Sequence, residues 1–330
     1  MKKLLATFIA AAMLFACSSC LATESQGNLT EKTYTIGVVD GAPALAVTNL
    51  SEGFVYKGTE ENVTVNTEIT SNPQQIVAGL NNGTFDMAIV PLNLASTIYN
   101  KAANVGARLV SVNIFSVLYL VGQTELTSLE SLKGKVVYSV GEGGTPELVL
   151  KNLLDKKGIV YEDGDEATDP DKVYVKMVAE APLAISALAK GNVALLGEPV
   201  VTQAMAKTGA QYALDLSGEW AKVYGEGRAF VQAGLVVNGT VASDLAFVRA
   251  FVEKMSENTD YLYENVDSIS EKLQGMGSSV SVAFTKATLD RCHIGCKTAK
   301  SQQANVEAFL SAFSLSQIGG ALPADEFYLI

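Results

Sequence analysis

A glycine-rich turn is the segment of this chain best suited to hold a small ligand. It lies between a β-rich run and a predicted helix and consists of Gly141, Glu142, Gly143, Gly144 and Thr145. Successive backbone N–H groups at a helix N-terminus bind anions, and a threonine hydroxyl adds a further donor. The alternative is a plain turn in which Thr145 caps the helix that starts at Pro146. The spacing does not match the dinucleotide-binding fingerprint.

Two further sets of polar and small residues follow predicted strands. The first set is Asp40, Gly41 and Ala42, and the second is Thr70, Ser71 and Asn72. The Asp40 carboxylate suits a ligand amine, or it is a turn residue, while the small neighbours allow close backbone approach. The hydroxyl and amide groups of the second set bind a ligand, or they cap the helix that Pro73 begins.

The remaining candidate residues follow buried strands or supply aromatic surface. They are Leu92, Asn93, Phe115, Glu198 and Trp220. Glu198 is expected to accept from an amine or amidine, or to pair with a lysine. Trp220, with Tyr224, forms either an aromatic wall for a ligand or ordinary packing. The carboxylates favour an amino-bearing ligand, whereas a sulfonate or nitrate favours arginine, of which Arg228 is the nearest candidate. The sequence alone does not decide between an amino-bearing ligand and an anion.

The elements that must position these residues alternate between short strands and helices, which is typical of an α/β protein. One pattern occurs twice: the helix at Pro73 leads through Leu80 and Gly83 to Pro91, and the helix at Pro182 leads through Leu188 and Gly191 to Pro199. From the leucine onward the spacing is identical. The repetition predicts two similar α/β lobes. From Ser243 onward the pattern is mostly helical and is expected to cover the first lobe.

The N-terminus predicts export. Lys2 and Lys3 precede an apolar run, so residues 1–16 are interpreted as a signal peptide. Leu14-Phe15-Ala16-Cys17 resembles a bacterial lipobox, which implies cleavage before Cys17 and its acylation. The alternatives are an ordinary signal peptide cut near Ala22 or an uncleaved anchor, with Cys20 as a rival acceptor. Residues 17–31 are polar and are expected to form a tether to the membrane.

The composition argues against several classes of partner. The chain has 24 basic and 35 acidic residues, for a net charge of −11. A nucleic-acid-binding protein needs a basic stripe, so no nucleic acid is expected. Cys292 and Cys296 form a small disulfide or are free thiols. His293 between them is the only histidine, so neither a metal site nor a cofactor is expected.

Several of these features together resemble one family. Beside the lipobox and the tether they are Gly41-Ala42-Pro43-Ala44, the unit from Pro73 to Pro91, Leu129-Glu130-Ser131-Leu132-Lys133-Gly134-Lys135 and Glu198-Pro199. They resemble periplasmic-binding proteins of type II, most closely the group that binds nitrate, sulfonates, taurine and thiamine-precursor pyrimidines for ABC importers. The resemblance implies a two-lobed α/β fold, with central sheets flanked by helices and two crossovers between the lobes.

The same resemblance implies the domain limits and the function. Residues 32–116 plus 234–330 would form lobe 1 and residues 117–233 lobe 2, with crossovers near Ser116-Val117 and Gln232-Gly234. The expected protein is a monomeric, lipid-anchored solute-binding protein on the outer side of the cell membrane. It would capture a sulfonate, a nitrate-like anion or a pyrimidine-type precursor and deliver it to an ABC permease. The alternatives are an enzyme on the same fold, acting on a small aromatic metabolite, and a ligand-sensing surface lipoprotein.

Overall fold

The computed structural model describes residues 29–59, 61–225 and 230–330. The predicted signal peptide, Cys17, Cys20 and Arg228 lie outside these residues. Within the described part of the chain, no helix combines the length and apolar character that crossing a bilayer requires.

The first part of the chain builds five strands of one sheet. In order, its elements are β1 (Thr30–Val39), α1 (Ala42–Leu45), β2 (Val55–Lys57), β3 (Glu61–Thr70), α2 (Pro73–Asn82), β4 (Met87–Pro91), α3 (Leu92–Lys101) and β5 (Arg108–Phe115). A 3₁₀ helix at Thr48–Glu52 follows α1.

The middle of the chain builds a second sheet. Its elements are β6 (Leu118–Gly122), β7 (Val136–Val140), α4 (Thr145–Lys157), β8 (Tyr161–Asp163), β9 (Val173–Val178), α5 (Ala181–Ala189), β10 (Val193–Gly197), α6 (Val200–Thr208), β11 (Tyr212–Asp215) and α7 (Leu216–Tyr224). The strand order in this sheet is β11-β6-β10-β7-β9-β8.

The last part of the chain returns to the first sheet. Its elements are β12 (Val231–Val237), α8 (Gly239–Ser243), α9 (Leu245–Ser256), α10 (Asn258–Glu264), α11 (Ile269–Gly275), α12 (Lys286–Cys292), β13 (Ile294–Thr298) and α13 (Ala299–Leu310). The first sheet has the order β13-β5-β12-β4-β1-β3-β2. The expectation that the mostly helical chain from Ser243 onward covers the first lobe is confirmed, because α9 and α13 pack on these strands.

Alternating side chains of the central strands enter hydrophobic clusters on opposite faces of each sheet. In β10, Leu195 joins the cluster that α4 and α7 complete, whereas Leu196 joins the one that α5 and α6 complete. In β4, Val90 and Ile89 divide in the same way. Parallel strands that are covered on both faces have such continuous apolar sequences, which explains why both strands were visible in the sequence.

The chain passes between the two sheets twice. It leaves β5 at Phe115 and enters β6 at Leu118, and it returns between Tyr224 and Val231. The second passage precedes the expected position, because β12 already pairs with Phe115 at Val231, so Gln232 and Gly234 belong to the first sheet. The predicted α/β architecture, with two lobes, helix-flanked sheets and two crossovers, is confirmed.

The repeated pattern in the sequence corresponds to a repeated structural unit. In the first lobe α2 ends at the left-handed Gly83, and β4 and then α3 follow. In the second lobe α5 ends beside Gly191, also at positive φ, and β10 and then α6 follow. Glycine adopts this conformation without steric penalty, which is why it marks both turns.

Candidate functional site

The carboxyl ends of parallel strands from both sheets face a common cleft. In the first sheet β1 is parallel to β3 and β4, and in the second sheet β7 is parallel to β9 and β10. Ligands of open α/β sheets bind outside such strand ends. The loops that follow β1, β7 and β10 therefore lie where a ligand is expected.

A cavity of about 140 Å³, the inner cavity, lies between these strand ends. Aliphatic side chains, prolines and small residues form most of its surface. Its lining consists of Val39, Asp40, Gly41, Ala42, Pro43, Pro73, Ile89, Pro91, Leu94, Ile114, Val117, Leu118, Val140, Gly141, Glu142, Gly144, Pro146, Ala181, Leu196, Gly197, Glu198, Val200, Gln232 and Ala233. This described lining contains no Ser, Thr, Cys, His, Lys or Arg and no aromatic ring.

A second cavity, the outer cavity, has a volume of about 330 Å³ and is more polar. It shares six lining residues with the inner cavity: Val39, Asp40, Pro73, Val140, Ala181 and Val200. Its other lining residues are Ile69, Ser71, Glu180, Pro182, Ile185, Gln203, Gly277, Ser279 and Val280. The cleft therefore has an apolar part and a more polar part that are contiguous.

Asp40 lines both cavities, but its carboxylate is already fully hydrogen-bonded. One oxygen accepts from the backbone N–H of Gly41 and from the Ser278 hydroxyl, and the other from the N–H and hydroxyl of Ser279. A carboxylate has about four lone-pair positions. Asp40 thus links the end of β1 to the loop before α12 by hydrogen bonds. Because all four positions are used, its carboxylate cannot accept a further hydrogen bond from a ligand amine.

Glu198 is completely buried and is likewise occupied. Its carboxylate accepts from the N–H and the hydroxyl of Thr202, at 3.0 and 2.9 Å, and from Nε of Arg291 at 2.9 Å. Of the two expectations for Glu198, the ion pair is the one the structure contains, with an arginine in place of a lysine. Because Arg291 belongs to α12 of the first lobe, this pair joins the two lobes.

The glycine-rich turn lies between the lobes. The N–H of Gly144 donates to the Gly141 carbonyl at 2.8 Å, and the N–H of Gly143 donates to the Glu147 carboxylate at 2.7 Å. A carboxylate of the same chain thus occupies one donor that an anionic ligand would need. Gly144, not Thr145, occupies the N-cap position of α4, which corrects the predicted cap.

Asn93 and Thr145 are buried and connect the lobes to each other. The Asn93 amide donates to the Gly143 carbonyl at 2.7 Å, and the Thr145 hydroxyl donates to Asn93 Oδ1 and to the Gln232 carbonyl, both at 3.3 Å. Neither the inner nor the outer cavity has Asn93, Gly143 or Thr145 in its described lining. Their polar groups satisfy one another across the cleft.

Of the three predicted residues after β3, one lines a cavity and the other two stabilise the start of α2. Ser71 lines the outer cavity. The Asn72 side chain caps α2 by accepting from the N–H of Gln74 at 2.9 Å, and the Thr70 hydroxyl accepts from the N–H of Asn72 at 3.1 Å. Of the two expectations for this set, helix capping is therefore the one that the structure contains for Thr70 and Asn72.

Three of the predicted apolar residues do not reach either cavity. Trp220 is 2% exposed and packs against Phe230 and Phe309, away from the cleft, because α7 buries its apolar face against α13. Leu92 is fully buried in the core at the start of α3. Phe115 packs beside Gly295, and the Lys297 ammonium lies over its ring. The aromatic wall expected from Trp220 is not part of the cleft.

The Cys292–Cys296 segment forms the end of α12 and the start of β13, and both thiols are free. Burial raises the pKa of Cys292 and also that of Cys296, so both stay protonated at neutral pH. His293 Nδ1 lies 3.0 Å from the Ser116 carbonyl at the first crossover. In the described ranges, no group of three His, Cys, Asp or Glu residues is placed to hold a metal ion.

Sequence reasoning missed most of the apolar lining and one polar side chain, Gln232. Pro43, Pro73 and Pro146 each follow a strand, Pro91 is the last residue of one, and all four line the inner cavity, so a proline at or just after a strand end was the available signal. Gln232 was noted only as a crossover position, and nothing local to the sequence reveals that this residue lines the cavity.

Comparisons with known proteins show what the fold is. No family model matches the chain, and a search of curated proteins finds no match. An ABC transporter structure from Parabacteroides distasonis has a TM-score of 0.69 and 21% identity, covering 89% of this chain and 98% of that one. The periplasmic aliphatic sulphonate binding protein SsuA from Escherichia coli has a TM-score of 0.58 and 16% identity, covering 84% and 87%.

A third structure is the zinc-bound ligand-binding component of an ABC-type import system from Staphylococcus aureus. It has a TM-score of 0.62 and 14% identity, covering 91% of this chain and 96% of that one. Two of these three structures are thus described as binding proteins, and two are described as parts of ABC systems. The chain has their fold, which confirms the predicted type II periplasmic-binding architecture.

Proposed function

We propose that this protein is the extracytoplasmic solute-binding component of an ABC importer and that it captures a small molecule in the inner cavity. The observation that carries the proposal is a cavity between the strand ends of two lobes, next to both crossovers. The described lining has three carboxylates, of which Asp40 and Glu198 are fully hydrogen-bonded, and it has no hydroxyl, thiol, amine or imidazole side chain. A binding role needs none of these groups, whereas catalysis through a hydroxyl or thiol nucleophile or an imidazole base does.

Closure of the lobes would retain the ligand and signal the loaded state to the permease. Three contacts support a closed arrangement in this structure. Asn93 donates to Gly143, Arg291 pairs with Glu198, and the N–H of Ser281 donates to Gln203 at 2.7 Å. Each joins an element of the first sheet's lobe to one of the second's, so opening would break all three.

Export and anchoring are part of the proposal. Residues 1–16 would be removed, Cys17 acylated, and the segment from Cys17 to the start of β1 at Thr30 would tether a monomer to the outer side of the membrane, two residues shorter than the predicted tether. Cells that express the full chain should incorporate labelled fatty acid into it, and Cys17→Ser should abolish the incorporation. Persistent labelling of Cys17→Ser would contradict the anchor without affecting the binding site.

The binding function is tested by blocking the inner cavity. Val200 lines it from α6, so Val200→Trp should remove binding of the small molecule that the purified protein retains. Lys207→Trp places the same side chain on an exposed position of the same helix and is the matched control. Mass spectrometry of the retained molecule and calorimetry provide the measurements. Equal binding by the two variants would refute this cavity as the site, and conversion of the molecule to a product would favour the enzyme alternative.

Transport and sensing differ in the step after capture. A transport component should stimulate the ATPase of its permease in vesicles only when the small molecule is bound. A sensing lipoprotein would bind the same molecule without that stimulation. Loss of stimulation in Val200→Trp, with Lys207→Trp unaffected, would connect the cavity to transport.

The ligand classes expected from the family resemblance need particular groups. A sulfonate or nitrate-like anion needs several free donors or an arginine, and a pyrimidine ring needs a stacking surface. The described lining of the inner cavity has no arginine and no aromatic ring. The choice among ligands therefore depends on the groups that the lining does have.

A further inference from the structure

We infer that the inner cavity selects an uncharged molecule with a compact aliphatic body, and that the Gln232 amide recognises an oxygen of that molecule. The inference rests on the proposed function and narrows its ligand class. Three properties of the cavity carry it: the shape and chemistry of its walls, the charge around it, and the one side-chain donor that it leaves available.

The walls select an aliphatic body. Ile89, Ile114 and Leu196 come from strands of both sheets, and Leu94 and Val200 come from helices. At about 140 Å³ the cavity resembles in size an apolar cavity of roughly 150 Å³ that stays dry and binds benzene. Displacement of water from such walls is favourable in proportion to the apolar area that the ligand covers. A molecule of about six to eight non-hydrogen atoms fits this space.

The charge around the cavity opposes an anion. The carboxylates of Asp40, Glu142 and Glu198 line it, and Arg291 neutralises only the last of these. Neither the inner nor the outer cavity has a Lys, Arg or His in its described lining. At the glycine-rich turn the Glu147 carboxylate already accepts from Gly143. An anion in the cavity would lose its hydration without gaining a counter-charge.

A cation also lacks a partner there. An ammonium group that leaves water needs a carboxylate with a free lone pair in contact with it. Asp40 accepts four hydrogen bonds, and Glu198 is filled by Thr202 and Arg291. Glu142 is exposed at the edge of the cavity, where an ammonium would stay in water. The two buried carboxylates therefore shape the cavity without binding its occupant.

Gln232 supplies the available side-chain donor. Its Oε1 accepts from the N–H of Val117 at 3.3 Å, which fixes the orientation of the amide and leaves Nε2 on the other side. Nε2 makes no hydrogen bond to any residue in the described part of the chain, and Gln232 lines the inner cavity. A neutral carbonyl or hydroxyl oxygen is the complementary acceptor.

A series with similar branched bodies and different head groups tests the charge selection. The probes are 3-methylbutanamide, 3-methylbutan-1-amine, 3-methylbutanoate and 2-methylpropane-1-sulfonate, whose body is one carbon shorter so that its size stays within about eight non-hydrogen atoms. Each is titrated by calorimetry at neutral pH into protein dialysed free of retained molecules. We expect the amide to bind about tenfold or more tightly than the amine and both anions, which corresponds to one hydrogen bond to a buried group. Equal or tighter binding of an anion or of the amine, or no binding of the amide, would overturn the inference.

Two substitutions test the role of Gln232. Gln232→Glu keeps the acceptor for Val117 but replaces the free donor by a charged acceptor, so the amide should bind about tenfold more weakly and the amine should become the preferred probe. Gln232→Leu removes the donor without adding charge, so the amide should weaken several-fold with no gain for the amine. Wild-type preferences in both folded variants would contradict the assignment.

The outcome distinguishes this inference from the proposed function. If the retained molecule is an anion that Val200→Trp no longer binds, the inference fails while the cavity keeps its role in capture. If Val200→Trp changes the binding of no probe and of no retained molecule, the proposed site itself fails.

Discussion

The contact between Arg291 and Glu198 predicts how firmly the lobes stay closed. Replacing Arg291 by glutamine removes an Nε bond to a fully buried carboxylate and an Nη2 bond to the Thr202 hydroxyl, both 2.9 Å long. A hydrogen bond to a charged group contributes about 1.5–3 kcal/mol. The Arg291 side chain is 45% exposed, so screening by water places the expected loss near the lower limit, about 1.5 kcal/mol.

This lost free energy destabilises only the closed form of the protein, because the contact exists only while the lobes touch. A change of ~1.4 kcal/mol is a factor of ten, so Arg291→Gln should reduce the closed-to-open ratio about tenfold. A ligand held only in the closed form should lose affinity by up to that factor. Small-angle X-ray scattering measures the opening, and calorimetry with the retained small molecule measures the affinity.

Two variants separate the interlobe bond from general effects of charge. Arg291→Lys keeps the charge but loses the planar fork of donors, so its effect should be intermediate. Arg249→Gln removes an exposed charge from α9 and has no described ion pair, so it should behave like the wild type. If Arg291→Gln and Arg249→Gln give the same scattering and the same affinity, the contact does not hold the lobes closed.

Three further predictions concern buried or conformationally restricted groups. Gly143 has φ 72°, which proline cannot adopt, and its N–H donates to Glu147. Gly143→Pro should therefore lower the free energy of unfolding, measured in urea, by about 3 kcal/mol, and should weaken ligand binding measured by calorimetry. Burial, aided by nearby carboxylates, raises the pKa of Tyr119 to about 12. The contribution of the neutral Tyr119 to the free energy of unfolding is present below pH ~10 and is lost as the pH rises towards ~12. Urea titrations of Tyr119→Phe over this range should not show that loss. Cys292 should react with iodoacetamide at neutral pH only after unfolding, because burial raises its pKa, and labelling of the native thiol would contradict its buried state.

The fold was predictable because its signals are local. Glycine turns such as Gly83 and Gly191, apolar strands, and prolines at helix starts each depend on a few neighbouring residues. Their repetition made two lobes recognisable. The strand β13 was not predicted, because Ile294–Thr298 pairs with β5 only through a long-range contact and its own pattern is short and polar.

The lining of the proposed site was easier to predict from the sequence than the chemistry of its side chains. Asp40, Gly41, Ala42, Gly141, Gly144 and Glu198 line the inner cavity, because strand ends place loops at the cleft whatever the side chains do. Whether a side chain faces a ligand depends on partners far along the chain. Ser278 lies 238 residues from Asp40, and Arg291 lies 93 residues from Glu198.

The two occupied carboxylates give the cleft a property that their sequence positions alone would not suggest. A free Asp40 and a free Glu198 would make the cleft a receptor for amines. Once Ser278, Ser279, Thr202 and Arg291 satisfy them, both carboxylates hold loops and lobes together, and Asp40 keeps a negative charge without a cationic partner beside an apolar space. The polar residues thus define which ligands are excluded, and the aliphatic walls with Gln232 define which ligand fits.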